Sequence, residues 1–450
     1  MDTRTIELSE PAAAVSHETA LLEKIASRQA VIGIVGLGYV GLPLATEFAL
    51  AGFHVWGLDV DPIRIERIRH GNSYIGDVNS AILHGVVAKE LLRVSTDDAP
   101  IAEADAIIVC VPTPLRKTKD PDVSYIVDAV TKIQAHARAG QLIVLESTTY
   151  PGTCEELVAP MLADTGLDIG RELFLAFSPE RVDPGNHTYS TKNIPKVVGG
   201  VNDASTRAAS FLYEQVIDHV HPVSTTKTAE MVKLLENTFR SVNIGLINEF
   251  ALICNRMGVS VWEVIAAAAT KPFGFMPFYP GPGLGGHCLP IDPIYLSWKA
   301  KLLDIEANFI DLAARINASM PRHVVEKVAT ALNDEAKPVR GSRILVLGVA
   351  YKRNVSDIRE SPALDIIKLL AERGADVAYS DPHVDELHYH GVEMGSTELT
   401  PETLGAADCV VIVADHSAFD FQAVIDHASL VVDTRNATKA LSGRARIVTL

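Results

Sequence analysis

One short segment restricts the fold of this 450-residue chain more than any other. Val31–Val35 is an apolar run of strand length. It leads straight into Gly36-Leu37-Gly38-Tyr39-Val40-Gly41, and an apolar helical pattern follows to about Leu50. A strand, a GxGxxG turn and a helix in that order open a doubly wound α/β unit. Gly36 permits the tight turn, Gly38 lets the backbone approach a pyrophosphate, and Gly41 lets helix and strand pack closely. A second strand at residues 53–58 ends at Asp59. That carboxylate can accept hydrogen bonds from an adenosine ribose and would repel a 2′-phosphate, which favours NAD over NADP. The competing reading is a glycine-rich turn with Asp59 as a cap.

The alternation continues with apolar runs at 106–111, 142–146 and 173–177, so a parallel sheet covered on both faces is expected. From 228 to 257 the period changes. Met231, Leu234, Leu235, Phe239, Val242, Leu246 and Phe250 recur at three- and four-residue steps, which predicts one long helix. More helix follows to 269, then a Pro- and Gly-dense loop over 271–287. Strand patterns restart at 343–349, 376–380, 409–413 and 430–433. The fold expected is α/β, with two Rossmann-like doubly wound domains joined by a helical central domain. The boundaries read as 1–29 tail, 30–222 NAD-binding domain, 223–330 central helical domain and 331–450 second Rossmann-like domain. Residues 1–29 read as a mobile tail or a short leading helix, with the first ordered element at Val31.

Composition excludes several classes. A net charge of −16 is wrong for gripping nucleic acid. Any bound phosphate must be held by backbone N–H groups, helix N-termini and a few cations. The five cysteines are odd in number and scattered, without CxxC, so neither a disulfide framework nor a metal site is expected. A reducing cytoplasm fits, and no apolar run reaches membrane-span length.

Gly283-Leu284-Gly285-Gly286-His287-Cys288 puts a thiol at the end of a glycine-rich loop. Asp292-Pro293 then reads as a helix start, with Asp292 as N-cap. A thiolate beside a helix N-terminus is stabilised, which makes Cys288 the best nucleophile candidate; a buried apolar cysteine is the alternative. Lys233 and Asn237 are four apart on the long helix and share a face. Lys233 is a base or oxyanion stabiliser, or else a snorkelling surface lysine. Glu180, after the 173–177 strand, stands where it can activate water, or it belongs to a solvated turn. The second α/β domain carries Gly348-Val349-Ala350-Tyr351-Lys352 without a second GxGxxG, so a smaller nucleotide is expected there.

Together these segments resemble the UDP-glucose/GDP-mannose dehydrogenase family. The resemblance runs from about Val31 to Asn436 through VGLGYVGLPLA, VCVPTP, ESTTYPGT, FSPERVDPG, AEMVKLLENTFR, GPGLGGHCLPIDP and GVAYKRNVSDIRESPAL. It implies oxidation of a primary alcohol to a carboxylate with two NAD per turnover, through a thiohemiacetal and a thioester on Cys288. It implies that Lys233 and Asn237 stabilise charge on the C6 oxygen, that Asp292 and Lys233 assist proton transfer, and that Glu180 and Thr148 place or activate water. Around the cofactor it adds Tyr39, Val40, Arg64, Thr113, Thr148 and Arg359 to the glycines and Asp59. Around the substrate it adds Tyr279, Gly285, Lys352 and Arg435. A homodimer or higher homo-oligomer is implied as well.

Within the family the chain is most similar to UDP-N-acetylglucosamine 6-dehydrogenases. It departs from the glucose enzymes at Pro184, where they carry a second Glu, and at Lys271-Pro272-Phe273-Gly274, where they carry an Arg. Arg181 is the candidate to hydrogen-bond an acetamide or sugar hydroxyl. Three other readings compete: UDP-ManNAc or UDP-glucose as the sugar, a single-step β-hydroxyacid dehydrogenase, and a non-catalytic sensor. A short-chain epimerase is a further rival, because Tyr295 and Lys299 spell YxxxK; both are expected on the helix after Cys288.

Overall fold

The structure, a computed structural model, describes residues 16–116, 118, 120–183, 188–389 and 392–450. The chain forms two compact units. The first comprises the chain up to Thr113 and Asp122–Lys233, and the second comprises Pro114–Pro121 and Leu234–Leu450.

The first unit begins with α1 (His17–Ala26), β1 (Val31–Val35), α2 (Gly41–Leu50), β2 (His54–Leu58), α3 (Pro62–Arg69), α4 (Ser80–Ala88) and β3 (Leu92–Ser95). It continues with β4 (Ala106–Val109), α5 (Ser124–His136), β5 (Gln141–Leu145), α6 (Ala159–Ala163), β6 (Leu173–Phe177), β7 (Lys196–Gly200), α7 (Asp203–Tyr213) and β8 (Val220–Val223). The eight strands lie in the order β3-β2-β1-β4-β5-β6-β7-β8. The order reverses between β1 and β4, so the glycine turn after β1 sits at the switch point where such sheets bind ligands.

Alternation along each strand builds two cores. Ile32, Ile34, Ile108, Val144 and Phe174 pack on one face, Ile107, Val109, Ile143, Leu145 and Leu175 on the other. Burying each such side chain stabilises by roughly 1.5–3 kcal/mol, so both faces must be covered by helices. Order starts before Val31, contrary to the sequence reading. Ser16 caps α1, Leu21 and Ile25 are buried, and Lys24 pairs with Asp105 at 2.8 Å. The short leading helix is therefore what residues 17–26 form, and residues 1–15 lie outside the described part. The sheet is also not wholly parallel: β7 runs antiparallel to β6. Antiparallel neighbours need no crossover helix, and the described residues between these strands contain none.

The long helix α8 runs over Thr226–Met257, followed by α9 (Val261–Ala268), α10 (Asp292–Lys301) and α11 (Asn308–Asp334). The 27 residues of α11 make a second long helix beside the one expected. Pro321 lies inside it and reads as a breaker in sequence, yet is buried there. Next come β9 (Arg343–Leu347), α12 (Pro362–Glu372), β10 (Asp376–Ser380), β11 (Glu386–Tyr389), β12 (Val392–Gly395), α13 (Pro401–Ala406), β13 (Cys409–Ile412), α14 (Phe421–His427), β14 (Leu430–Asp433) and β15 (Arg446–Thr449). A parallel sheet β10-β9-β13-β14-β15 forms the second unit's core, with β11 and β12 as a separate hairpin. No described helix is long and apolar enough to cross a membrane.

Candidate active site

In the first unit the glycine turn is shaped by contacts that only glycine permits. Gly36 has φ +94°, and a Cβ there would press on the Cys110 carbonyl. A Cβ on Gly41 would collide with the Gly36 carbonyl, whereas one on Gly38 would meet nothing within 4 Å. Gly38 thus opens onto free space beside the start of α2, whose N-cap, Val40, offers no side-chain cap. An uncapped helix N-terminus with a bare backbone approach fits a pyrophosphate. Tyr39 is 41% exposed at the same turn.

Asp59 is buried after β2. Its Oδ2 accepts the Leu37 N–H at 2.8 Å and its Oδ1 the Asp61 N–H at 3.0 Å. It therefore braces the glycine turn, and it is not a helix cap: Asp61 caps α3. Arg64 reaches Asp59 and Asp61 at 3.4 Å from a half-exposed position. The Arg64 side chain itself is 44% exposed and both contacts are long, so a ligand can take over the guanidinium. Tyr74, which sequence reading missed, donates to the Leu37 carbonyl at 2.5 Å and closes the other side of the turn. Thr113 and Thr148 are half-buried beyond β4 and β5.

Glu180 does not lie in a solvated turn. Its Oε1 accepts the N–H groups of Arg181 and Val182 at 2.8 and 2.7 Å. Its Oε2 pairs with Lys196 at 3.2 Å, and Lys196 also pairs with Glu146 at 2.9 Å. Burial pushes the Glu180 carboxyl up, but Lys196, the Val182 N–H and Lys233 outweigh it, and the net direction is down. Burial raises Glu146. Lys233 is buried rather than snorkelling, and its Nζ donates to the Glu180 carbonyl. Arg181 donates to the Pro195 carbonyl at 2.7 Å. Pro184 lies outside the described residues.

In the second unit the Pro- and Gly-rich loop is held by backbone packing. Gly283 and Gly286 have φ +139° and +82°. A Cβ on Gly285 would press on the Tyr351 side chain and the Glu360 carbonyl, and the Gly286 N–H donates to the Arg359 carbonyl at 2.9 Å. The loop ending in Cys288 therefore lies directly on the segment that carries Lys352 and Arg359. Two buried amides missed in the sequence anchor it. Asn248 accepts the Gly281 N–H at 3.0 Å and donates to Asn317 at 2.9 Å.

Cys288 is half-buried; the other four cysteines are buried. Its carbonyl accepts the Asp292 N–H at 2.8 Å, so it forms the last turn before α10. The expected capping is displaced by one residue. Ile291 is the N-cap and Asp292 the first helical residue, and the Asp292 carboxylate accepts from Asn237 at 2.5 Å. Both partners are buried, so α8 and α10 are joined by a charge-assisted bond. Arg359 is half-exposed and paired with Asp357 at 2.6 Å. Arg435 donates to the Val413 carbonyl at 2.8 Å and sits beside Gly281. Lys352 is half-buried after β9, and Tyr279 is exposed and stacked on Trp262. Tyr295 is fully buried, with its hydroxyl on the Pro114 carbonyl at 3.3 Å.

Comparison with known proteins gives the family. Residues 30–217 match the NAD binding domain of the UDP-glucose/GDP-mannose dehydrogenase family, 227–319 its central domain and 345–440 its UDP binding domain. The chain belongs to this family. It is an NAD-dependent UDP-sugar 6-dehydrogenase. It is 36% identical over 393 residues to the UDP-N-acetyl-D-mannosamine dehydrogenase of Methanococcus maripaludis, covering 86% of each chain. Identity is also 36% to the UDP-N-acetyl-D-glucosamine 6-dehydrogenase of Pseudomonas aeruginosa, covering 86% of this chain and 91% of that one. The solved UDP-D-ManNAc dehydrogenase of Pyrococcus horikoshii superposes with a TM-score of 0.86 at 33% identity, covering 93% and 98%.

Proposed function

We propose that this dehydrogenase oxidises C6 of a UDP-N-acetylhexosamine to the carboxylate in two steps, with UDP-N-acetylglucosamine the first sugar to test. The observation that carries the mechanism is Cys288: the least buried of five thiols, at the start of a helix, on a loop of glycines. NAD, two per turnover, supplies the acceptor for the hydride leaving the alcohol carbon and for the one leaving that carbon after sulfur has added.

The chain's residues do the rest. Lys233 and Asn237 stabilise the developing alkoxide, and Lys233 and Asp292 move its proton. The Cys288 thiolate adds to the aldehyde, giving a thiohemiacetal and later a thioester. Water, positioned by Glu180 and Thr148, adds to the acyl carbon; the C–S bond breaks and the thiolate leaves. Gly36, Gly38, Tyr39, Val40, Gly41, Asp59, Arg64, Thr113 and Arg359 hold the cofactor. Arg181, Tyr279, Gly285, Lys352 and Arg435 contact the sugar nucleotide. Division at 30–222, 223–330 and 331–450 and a cytoplasmic location belong to the same reading.

UDP-N-acetylmannosamine is the second reading, favoured by the mannosamine names of the Methanococcus and Pyrococcus relatives. The test is an NADH assay over a panel of UDP-sugars. Two NADH per sugar are expected, and a ratio of one would overturn the thioester route. Cys288→Ser is expected to lower kcat by on the order of 10³-fold or more.

We further infer a homodimer. Leu235, Phe239, Leu246, Phe250, Ile253 and Met257 of α8 are all more than 40% exposed. A contiguous apolar helix face of this kind is rare on a monomer. A monomeric mass in solution would remove this inference.

A further inference from the structure

Three residues of the first unit lie behind Glu180, and the reaction described above does not use them. Lys196 opens β7, Glu146 follows β5, and Tyr213 ends α7. The β6–β7 pairing sets Ala176 opposite Gly200 and Phe177 opposite Gly199. Continued, that register brings residue 196 across from residue 180. The Lys196 ammonium, whose side chain is 5% exposed, bridges Glu146 Oε1 at 2.9 Å and Glu180 Oε2 at 3.2 Å. The Tyr213 hydroxyl donates to Glu146 Oε1, and the Tyr213 ring lies 5.1 Å from the ammonium. Glu146 Oε2 is buried without a partner among the described residues. One ammonium thus serves a buried carboxylate, Glu146, and a partly buried one, Glu180, and only the latter leads toward the reaction.

We propose that Lys196, backed by Glu146 and Tyr213, is a positioning residue that fixes the Glu180 carboxylate in its rotamer and keeps it ionised for the water step. This rests on the reading of Glu180 given above. The groups facing the cluster are Cys110 after β4, Glu146, Glu180, Tyr213 and Lys233. Lys196 is a strong cation by this geometry. Opposite charge at such range moves a carboxyl by roughly one to three pH units. Glu180 is held low with Lys196 the largest favourable influence, whereas at Glu146 burial outweighs the same ammonium and the carboxyl is raised.

The two sides of the bridge predict shifts of opposite sign. Lys196→Met takes away the cation, so the acid limb of kcat should move up by about one pH unit or more. Because the carboxylate also loses the partner that fixes its rotamer, kcat on the neutral plateau should fall by roughly 10²-fold with KM for the sugar nearly unchanged, and the Cys288 thioester should accumulate in the intact mass spectrum. Glu146→Gln takes away the competing anion, so the acid limb should move down. Lys196→Arg should restore most of the rate.

The full-length enzyme is used, with whichever UDP-sugar the wild type oxidises and with NAD binding measured in parallel. The proposal is overturned if folded Lys196→Met keeps the wild-type limb and rate. Should that variant not fold, an unmoved or upward limb in Glu146→Gln overturns it equally. Glu180→Gln separates the two ideas. A normal rate in Glu180→Gln removes the reading of Glu180 and this proposal with it. An impaired Glu180→Gln beside an unaffected Lys196→Met removes this proposal alone.

Discussion

Both units build the same turn, and they finish it differently. After β1, Gly36 takes φ +94° and donates its N–H to the Leu58 carbonyl; after β9, Gly348 takes φ +83° and donates to the Ser380 carbonyl. Each glycine is pressed against the strand that follows across the sheet, at Cys110 and at Ala414. Each turn is braced by an aspartate ending the neighbouring strand. Asp59 takes the Leu37 N–H, and Asp381 takes those of Val349 and Ala350 at 2.7 and 3.0 Å.

The difference lies in what comes next. The first turn runs into α2, and Gly38 leaves open space at the helix start. The second runs into an extended loop, and its aspartate is locked by a buried histidine. His416 Nε2 lies 3.1 Å from Asp381 Oδ2, while its Nδ1 accepts the Asn354 N–H at 2.9 Å. Because Nδ1 accepts, Nε2 is the donor to Asp381. One turn is open for a dinucleotide. The other is closed.

The largest test of this contrast is Gly38→Val. The new side chain enters free space, so the fold should hold while KM for NAD rises by roughly 100-fold. A normal KM would show that no ligand approaches there. Gly348→Ala should do the reverse. Its Cβ meets the Ala414 backbone at positive φ, so unfolding should become easier by about 1–3 kcal/mol, with NAD binding to the folded enzyme unchanged.

Asp59→Asn should weaken NAD by roughly tenfold and narrow the preference over NADP, measured as the ratio of kcat/KM values. The smallest effect is at Asp381. Burial is outweighed by the His416 bond and the N–H groups of His383 and Ala350, which hold its carboxyl below the ordinary 3.8. A depressed carboxyl contributes stability that is complete above that value and disappears as pH falls through the folded one. Asp381→Asn should therefore lower the melting temperature at neutral pH by about 2–4 °C per kcal/mol lost, with the gap to wild type closing in acid.

Much of this was readable in the residue string. Val31–Val35, Leu173–Phe177 and Asp376–Ser380 carry bounds the apolar runs already mark. The glycine turn at 36–41 needed only its neighbours. Other elements were hidden. Lys196–Gly200 is two apolar residues between a lysine and two glycines, and it pairs antiparallel where alternation argued for parallel. Pro321 disguised α11. The helix start at Asp292 was placed one residue off, because a capping aspartate and one turned to Asn237 read alike in sequence.

Sequence alone determined what depends on adjacent residues: strand period, glycine φ, the thiol at a helix start, and the order of motifs that marks the family. Tertiary structure decided the long-range pairs. Asn237 meets Asp292 across 55 positions, and Glu146 shares Lys196 with Glu180. The reason is physical. A turn is specified by the torsions of a few consecutive residues, whereas a buried ion pair depends on which strands lie side by side, in which direction and in which register.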